Sequence, residues 1–172
     1  MTKIGITGHR NLNKRFIKEY QEQVYEKLFT LKQKYHEVIL LSALADGADR
    51  LVVYEAMKLD IKYIAVLPMQ KELYKDDFDS TSKLEFEKLL KNAEHILTMS
   101  HTKPFIKDRQ YKLVGQFISD DCDILIALWD GKDTGLQGGT SEIVKYHLKN
   151  EKEICHIKVD RNDILLKSHH DT

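Results

Sequence analysis

Six short apolar runs divide the chain, and more polar stretches separate them. The runs cover residues 4–7, 38–41, 63–67, 95–99, 124–129 and 154–159. The first five are continuous rather than alternating, which is typical of strands buried on both faces of a sheet. We therefore predict five or six strands, and we expect the first five to be buried on both faces.

The stretches between these runs have the periodicity of helices. From Phe16 to Tyr35, apolar residues recur at steps of three and four, which indicates a long helix over residues 13–35 with one apolar face. Shorter helices are predicted after Gly47, over residues 82–90 and 107–121, and from Gly139 onward. This alternation of strand and helix predicts right-handed crossovers and a parallel sheet covered on both sides.

The predicted fold class is therefore α/β, a Rossmann-like, doubly wound parallel sheet with helices on both faces. A chain of 172 residues is long enough to bury a substantial core within one domain. We expect this domain to span residues 1–160 and residues 161–172 to form a polar C-terminal tail.

Charge and composition limit the kinds of molecule that we expect this protein to bind. The 27 Lys and Arg residues balance 27 Asp and Glu residues, whereas a general nucleic-acid-binding protein has a basic excess. No apolar run approaches the ~20 residues of a membrane span, and the amino terminus has no signal-peptide pattern. Cys122 and Cys155 have no metal-ligand spacing. We expect a cytoplasmic protein that has no metal or cofactor and binds neither membranes nor nucleic acids in general.

Candidate ligand-binding residues follow the first two strands. Ligands of open parallel sheets bind outside the carboxyl ends of the strands. After the first strand, Gly8 would permit close backbone approach, and the planar guanidinium of Arg10 suits a phosphate or carboxylate. After the second strand, Asp46 can cap a helix that carries Asp49 and Arg50 in its first two turns. These acidic residues also fit ordinary helix-start chemistry, so that alternative stays open.

The third strand is followed by Pro68 and then by a polar segment from Tyr74 to Ser82. This segment is long enough to act as a lid over the carboxyl edge, although a plain surface loop is the simpler interpretation. In the fourth predicted helix, Arg109 could reach the same edge, whereas Tyr111 is more typical of a core residue.

The most specific signal follows the fifth strand. A glycine-rich loop ends in Gly138, Gly139 and Thr140 at a predicted helix start, where free backbone N–H groups favour an anion. Glu142, in the first helical turn, could accept hydrogen bonds from ribose hydroxyls or simply complement the helix dipole. The loop is neither a P-loop nor a G-x-G-x-x-G dinucleotide motif. The candidate ligand-binding residues are Gly8, His9, Arg10, Ser42, Asp46, Gly47, Asp49, Arg50, Pro68, Arg109, Asp130, Gly138, Gly139, Thr140 and Glu142.

The order of these motifs resembles the SLOG superfamily, which includes the LOG nucleotide phosphoribohydrolases, DprA-like proteins and sensor domains for NAD-derived signals. The likeness rests on Ile-Thr-Gly-His-Arg at 6–10, Leu-Ala-Asp-Gly-Ala-Asp-Arg-Leu at 44–51, Val-Leu-Pro at 66–68 with Tyr74 and Asp77-Phe78, Asp-Arg at 108–109, Cys-Asp-Ile-Leu-Ile-Ala-Leu-Trp-Asp-Gly at 122–131 and Gly-Gly-Thr-Ser-Glu at 138–142. The resemblance implies a Rossmann-like fold and a phosphate site at residues 138–140. It also implies that Glu142 faces a ribose or is catalytic, and that Gly8, Arg10 and Arg109 match family positions.

The resemblance leaves three hypotheses open. The first is a module that senses or sequesters a nucleotide or an NAD-derived, ADP-ribose-like ligand. The second is a LOG-type N-glycosidase that acts on nucleoside 5′-monophosphates, with Glu142 and Arg109 as its catalytic residues. The motif at 137–142 is shorter than the Pro-Gly-Gly-x-Gly-Thr-x-x-Glu of LOG enzymes, which favours binding. The third is an interaction protein with a vestigial pocket; a homodimer or higher homo-oligomer is also expected.

Overall fold

The computed structural model describes residues 1–104 and 106–162, and within them one six-stranded, all-parallel sheet. The strand order is β4-β3-β2-β1-β5-β6. The predicted fold class and strand number are therefore confirmed. The strands are β1 (Thr2–Gly8), β2 (Val38–Ser42), β3 (Tyr63–Leu67), β4 (His95–Thr98), β5 (Ile124–Trp129) and β6 (Glu153–Lys158).

Helices cover both faces of this sheet, as predicted. They are α1 (Ile17–Tyr35), α2 (Ala48–Lys58), α3 (Lys71–Tyr74), α4 (Ser80–Lys91), α5 (Lys107–Asp121) and α6 (Thr140–Lys149). On one face, buried residues of α1, α2 and α4 join the larger apolar cluster. On the other face, Val114 and Ile118 of α5 pack with Ile143 of α6 against β2, β3 and β5.

One strand prediction was wrong. We expected the fourth apolar run to be buried on both faces, but His95, Ile96 and Leu97 of β4 are all exposed, and Ile96 is 50% exposed. The reason is position, because β4 is an edge strand that pairs only with β3. An apolar run by itself does not reveal that its strand lies at the edge of a sheet.

The sheet reverses its direction of growth at β1. This strand pairs with β2 on one side and with β5 on the other, and Gly8 lies opposite Leu128 in the β5 register. The carboxyl end of β1 also packs tightly on the start of α2, since a Cβ at Gly8 would lie 2.3 Å from the Cβ of Ala48. The Ala48 amide donates to the His9 carbonyl at 3.0 Å. Gly8 therefore serves close packing within the protein.

The segment after β3 is ordered rather than a plain surface loop, which corrects the simpler interpretation above. It forms α3 and a 3-10 turn, Lys75–Asp77, and we refer to residues 71–77 as the cover segment. Tyr74 is buried and makes edge-on contacts with Phe78 and Phe86, with ring centroids 5.0 and 5.5 Å away. These aromatic contacts fix the cover segment over the carboxyl edge.

The start of the predicted tail is attached to the sheet. Arg161 forms an antiparallel bridge with Leu12 and donates from Nε to Asp130 at 2.9 Å. The Asn162 amide donates to the Asn11 carbonyl at 3.2 Å. The remainder of the predicted tail, residues 163–172, lies outside the described residues.

Candidate ligand-binding site

A pocket lies at the carboxyl edge of the sheet, next to the point where strand order reverses. It opens between the end of β1, the loop after β2, the cover segment and the starts of α5 and α6. Its enclosed volume is about 70 Å³. The lining residues are Ile6, Thr7, Gly8, Arg10, Ala43, Ala45, Asp49, Tyr74, Tyr111, Val114, Gly115, Ile118, Gly138, Thr140 and Ile143.

Arg10 supplies the positive charge of this pocket. Its guanidinium carbon lies 5.3 Å from the centroid of the Tyr111 ring, and its side chain is 22% exposed. Its only ion pair in the described part of the chain is a long one, from Nη1 to Asp77 Oδ2 at 3.8 Å. Most guanidinium donors of Arg10 therefore stay available to a ligand, while the stacked ring holds the group in place.

Asp49 brings a carboxylate into the same pocket. This residue is only 7% exposed, and its Oδ2 accepts a hydrogen bond from the Ala45 amide at 3.1 Å. Burial raises the pKa of Asp49 to about 6, against the opposing effects of the Ala45 hydrogen bond and the nearby Arg10 and Arg50 charges. A buried group with a perturbed pKa in a cleft is a functional-site candidate.

Two tyrosines and Asp77 close the side of the pocket. The Tyr74 hydroxyl donates to the Ala43 carbonyl at 3.0 Å, and the Tyr111 hydroxyl donates to Asp77. Burial, followed by the hydrogen bond to Asp77, raises the pKa of Tyr111, so this hydroxyl remains a donor. Lys107 Nζ also reaches Asp77, at 2.9 Å, which ties the cover segment to α5.

The start of α6 forms the far wall. Gly138 has a positive φ of 74°, and a Cβ there would lie 2.9 Å from the Lys112 amide nitrogen, so the loop packs closely on α5. The first intrahelical hydrogen bond runs from Ile143 to the Gly139 carbonyl, which leaves the amides of residues 140–142 without helical partners. Gly138 and Thr140 thus line the pocket beside the positive end of the helix.

The Glu142 carboxylate contacts groups of the protein, whereas we expected it to face the ribose of a ligand. Its Oε2 accepts from the Gly138 amide at 3.3 Å, and its Oε1 lies 3.0 Å from Lys112 Nζ. Glu142 does not line the pocket. Its carboxylate fixes the glycine-rich loop and occupies one of the amides that we expected to hold phosphate.

His9 and Asp130 join the ends of β1 and β5. The Asp130 amide donates to Nε2 of the buried His9 at 3.0 Å. Burial tends to raise the pKa of Asp130, but the Lys132 amide hydrogen bond and the His9 and Arg161 groups outweigh this and keep it lowered. Neither residue lines the pocket, so their contacts brace its base.

The other candidates after β2 form a second polar cluster beside the pocket. Arg50 is 3% exposed, donates from Nε to the Leu44 carbonyl at 2.9 Å, and pairs with Asp46 at 3.0 Å and Glu85 at 2.8 Å. The N-cap of α2 is Gly47 rather than Asp46, which corrects the predicted cap. Asp46 instead accepts from the Ser82 hydroxyl at 2.5 Å. This cluster anchors α4 to α2.

Three further candidates also lie outside the pocket lining. Ser42 is buried, and its hydroxyl accepts from the Leu44 amide at 3.1 Å. The Pro68 carbonyl accepts from Gln110 Nε2 at 2.8 Å. Arg109 is exposed on the first turns of α5. The sequence interpretation quoted Asp77 in the resemblance but did not name it as a ligand-binding candidate, and it assigned Tyr111 to the core. The tertiary packing of the cover segment and α5 brings these two residues to Arg10.

A larger cavity of about 530 Å³ lies at the opposite, amino-terminal edge of the sheet. Its three lysines already have partners, since Lys3 pairs with Asp121, Lys62 pairs with Glu94, and Lys32 donates to the Leu59 carbonyl. The described residues contain no group of three metal-ligating side chains. Over the same residues, no helix combines the length and apolar character needed to cross a membrane.

Comparisons with known proteins rest on structure alone. No family model and no curated protein matches the sequence. Solved structures do match: DNA processing protein A from Streptococcus pneumoniae has a TM-score of 0.69 at 17% identity over 95% of this chain. DNA processing protein A from Helicobacter pylori gives 0.62 at 16% identity over 96% of this chain. The chain shares the Rossmann-like α/β fold of these proteins.

Another similar structure is the molybdenum cofactor carrier protein of Chlamydomonas reinhardtii, with a TM-score of 0.53 at 15% identity over 90% of this chain. The present chain spans only 52% of the S. pneumoniae protein, 71% of the H. pylori protein and 75% of the carrier protein. At these identities the likeness establishes the Rossmann-like fold and leaves the ligand open.

Proposed function

We propose that this protein binds a small phosphorylated ligand, a nucleotide or an NAD-derived compound of the ADP-ribose type, and acts as a sensing or sequestering module. The single observation that carries the proposal is Arg10, whose guanidinium is stacked on Tyr111 in the pocket with most donors unused. The adjacent start of α6 offers unpaired amides and the positive end of a helix. A phosphate between them gains charge-assisted hydrogen bonds from two directions.

The size of the pocket constrains how such a ligand binds. The enclosed 70 Å³ is well below the ~300–1,000 Å³ of drug-sized ligand sites. The phosphate therefore occupies the enclosed part, and the nucleoside lies across the open carboxyl edge. The aromatic cover segment is the element whose displacement would enlarge the pocket.

Isothermal titration calorimetry with AMP, ADP-ribose, cyclic ADP-ribose and NAD tests the proposal. Arg10→Gln should weaken binding by roughly ten- to a hundredfold, because hydrogen bonds to charged groups contribute about 1.5–3 kcal/mol. Arg109→Gln is the matched control, since Arg109 is an exposed arginine of α5 outside the pocket, and it should change affinity less than about twofold. Absence of binding by every ligand, or equal losses in both variants, would refute the proposal.

The N-glycosidase hypothesis has less support from the geometry. It needs Glu142 and Arg109 at the ligand, yet Glu142 is held by Lys112 and Gly138, and Arg109 is exposed. Chromatography of nucleotide incubations for free base is the direct check. Release of base by the wild type that Glu142→Gln abolishes would restore hydrolysis as the function.

Single-stranded DNA is a second candidate ligand, because the similar H. pylori protein has a described single-stranded DNA binding mode. The pocket offers one free arginine, and the formal net charge is zero, whereas DNA-binding surfaces use many phosphate contacts. Fluorescence anisotropy with an oligothymidine at two salt concentrations separates the candidates. Tight, steeply salt-dependent binding that survives Arg10→Gln would favour DNA over the nucleotide.

A further inference from the structure

Asp49 is a buried carboxylate with an unused oxygen at the pocket. Its Oδ2 accepts the Ala45 amide at 3.1 Å, and no other hydrogen bond reaches the carboxylate within residues 1–104 and 106–162. The side chain is more than nine-tenths buried and lines the pocket. Its other oxygen, Oδ1, therefore has no donor within the described residues and is open to a donor that enters the pocket.

The two hydroxyl donors closest to Asp49 in the pocket lining are already engaged elsewhere. The Tyr74 hydroxyl bonds the Ala43 carbonyl, and the Tyr111 hydroxyl bonds Asp77. Arg10 affects the charge of Asp49, but its ion pair is with Asp77. No hydrogen bond joins Tyr74, Tyr111 or Arg10 to Asp49 in the described residues, so its second oxygen is open to a donor on a molecule that enters the pocket.

We propose that Asp49 accepts hydrogen bonds from the sugar hydroxyls of the bound nucleotide, and this inference rests on the proposed function. A phosphate held by Arg10 and the start of α6 places the attached sugar at the open side of the pocket that Asp49 also lines. The hydroxyls of that sugar are the donors closest to the phosphate. Asp49 therefore takes the role that the sequence pattern suggested for Glu142.

Two consequences follow from this assignment. The site prefers ligands whose sugar has hydroxyl groups over ligands that lack them. The preference also weakens below pH 6, because protonation of Asp49 removes the charge that strengthens these bonds. The charged and titratable groups around Asp49 are Arg10 after β1, Asp46 and Arg50 beside it, Tyr74 and Asp77 of the cover segment, and Tyr111 of α5.

The experiment compares AMP with 2′,3′-dideoxyadenosine 5′-monophosphate by isothermal titration calorimetry. Wild type should bind AMP at least about tenfold more tightly, and Asp49→Asn should reduce this ratio to about two- or threefold. Asp108→Asn is the matched control, an exposed carboxylate of α5 outside the pocket, and it should keep the full ratio. Retained binding of the dideoxy ligand by Asp49→Asn shows that the variant pocket is folded.

The same ratio is measured for wild type from pH 7.5 to pH 5, which needs no variant. Both ligands have the same phosphate, so its own titration cancels, and the ratio should fall as Asp49 is protonated. Equal binding of the two ligands by wild type would overturn the role of Asp49 and leave the proposed phosphate site standing. Binding of neither ligand, nor of ADP-ribose or NAD, would overturn the proposed function and this inference with it.

Discussion

Replacing Asp49 with Asn should stabilise the folded protein at neutral pH. Burial raises the pKa of this carboxyl from 3.8 to about 6, so its ionised form is less stable in the folded chain than in the unfolded chain. The folded state holds the proton more tightly, and stability from this group is fully present below pH 3.8 and lost as the pH rises through about 6. The difference between the pKa of about 6 in the folded chain and 3.8 in the unfolded chain corresponds to about 3 kcal/mol in the free energy of unfolding.

The assay is urea unfolding of wild type and Asp49→Asn at five pH values from 4 to 8. Asn keeps an oxygen for the Ala45 amide but carries no charge, so its advantage should approach about 3 kcal/mol at pH 7–8 and shrink towards pH 4. Asp108→Asn, on the exposed surface of α5, should show no comparable trend. A variant that is less stable than wild type at pH 7, or a difference that does not change with pH, would refute the reasoning.

Three further substitutions probe the surroundings of the site. Two of them are measured by thermal or urea unfolding, and the third by ligand titration. Gly8→Ala places a Cβ 2.3 Å from the Cβ of Ala48 and should lower stability by about 1–3 kcal/mol; an unchanged midpoint would contradict this packing. Arg50→Met leaves the buried Leu44 carbonyl without its donor and should cost about 2–4 kcal/mol, measured by urea unfolding; a loss below 1 kcal/mol would show that the cluster is not structural. Glu142→Gln should leave AMP affinity within about twofold, since its carboxylate binds Lys112 rather than the pocket; a tenfold loss would return Glu142 to the site.

The architecture was predictable because it depends on local periodicity. Continuous apolar runs and helical spacing identify strands and helices from neighbouring residues alone. The same information does not locate the edge of the sheet, so the exposure of β4 was missed. The helix cap was also ambiguous in the sequence. Asp46 is a residue type that can cap α2, but its carboxylate instead binds Ser82 of α4 and Arg50 of α2.

The site was predictable only in part. A residue that follows a strand must lie at the carboxyl edge of the sheet, but the sequence does not tell in which direction its side chain points. Gly8, Arg10, Asp49, Gly138 and Thr140 do line one pocket. Helix geometry could have separated two further residues: Arg109 and Tyr111 are two positions apart and so point about 200° away from each other. Tyr111 faces the pocket and Arg109 the solvent. Asp77 reaches the site through the aromatic packing of the cover segment, which no local pattern reveals.

The central claim is that a phosphorylated ligand binds at the carboxyl edge of the sheet. Backbone amide chemical-shift mapping with ADP-ribose tests it most directly, because it reports location as well as affinity. The account predicts saturable shifts concentrated at Arg10, Asp49 and residues 138–141, and their loss in Arg10→Gln. Shifts concentrated instead at the 530 Å³ cavity at the amino-terminal edge, around Lys3, His36 and Lys62, would contradict it.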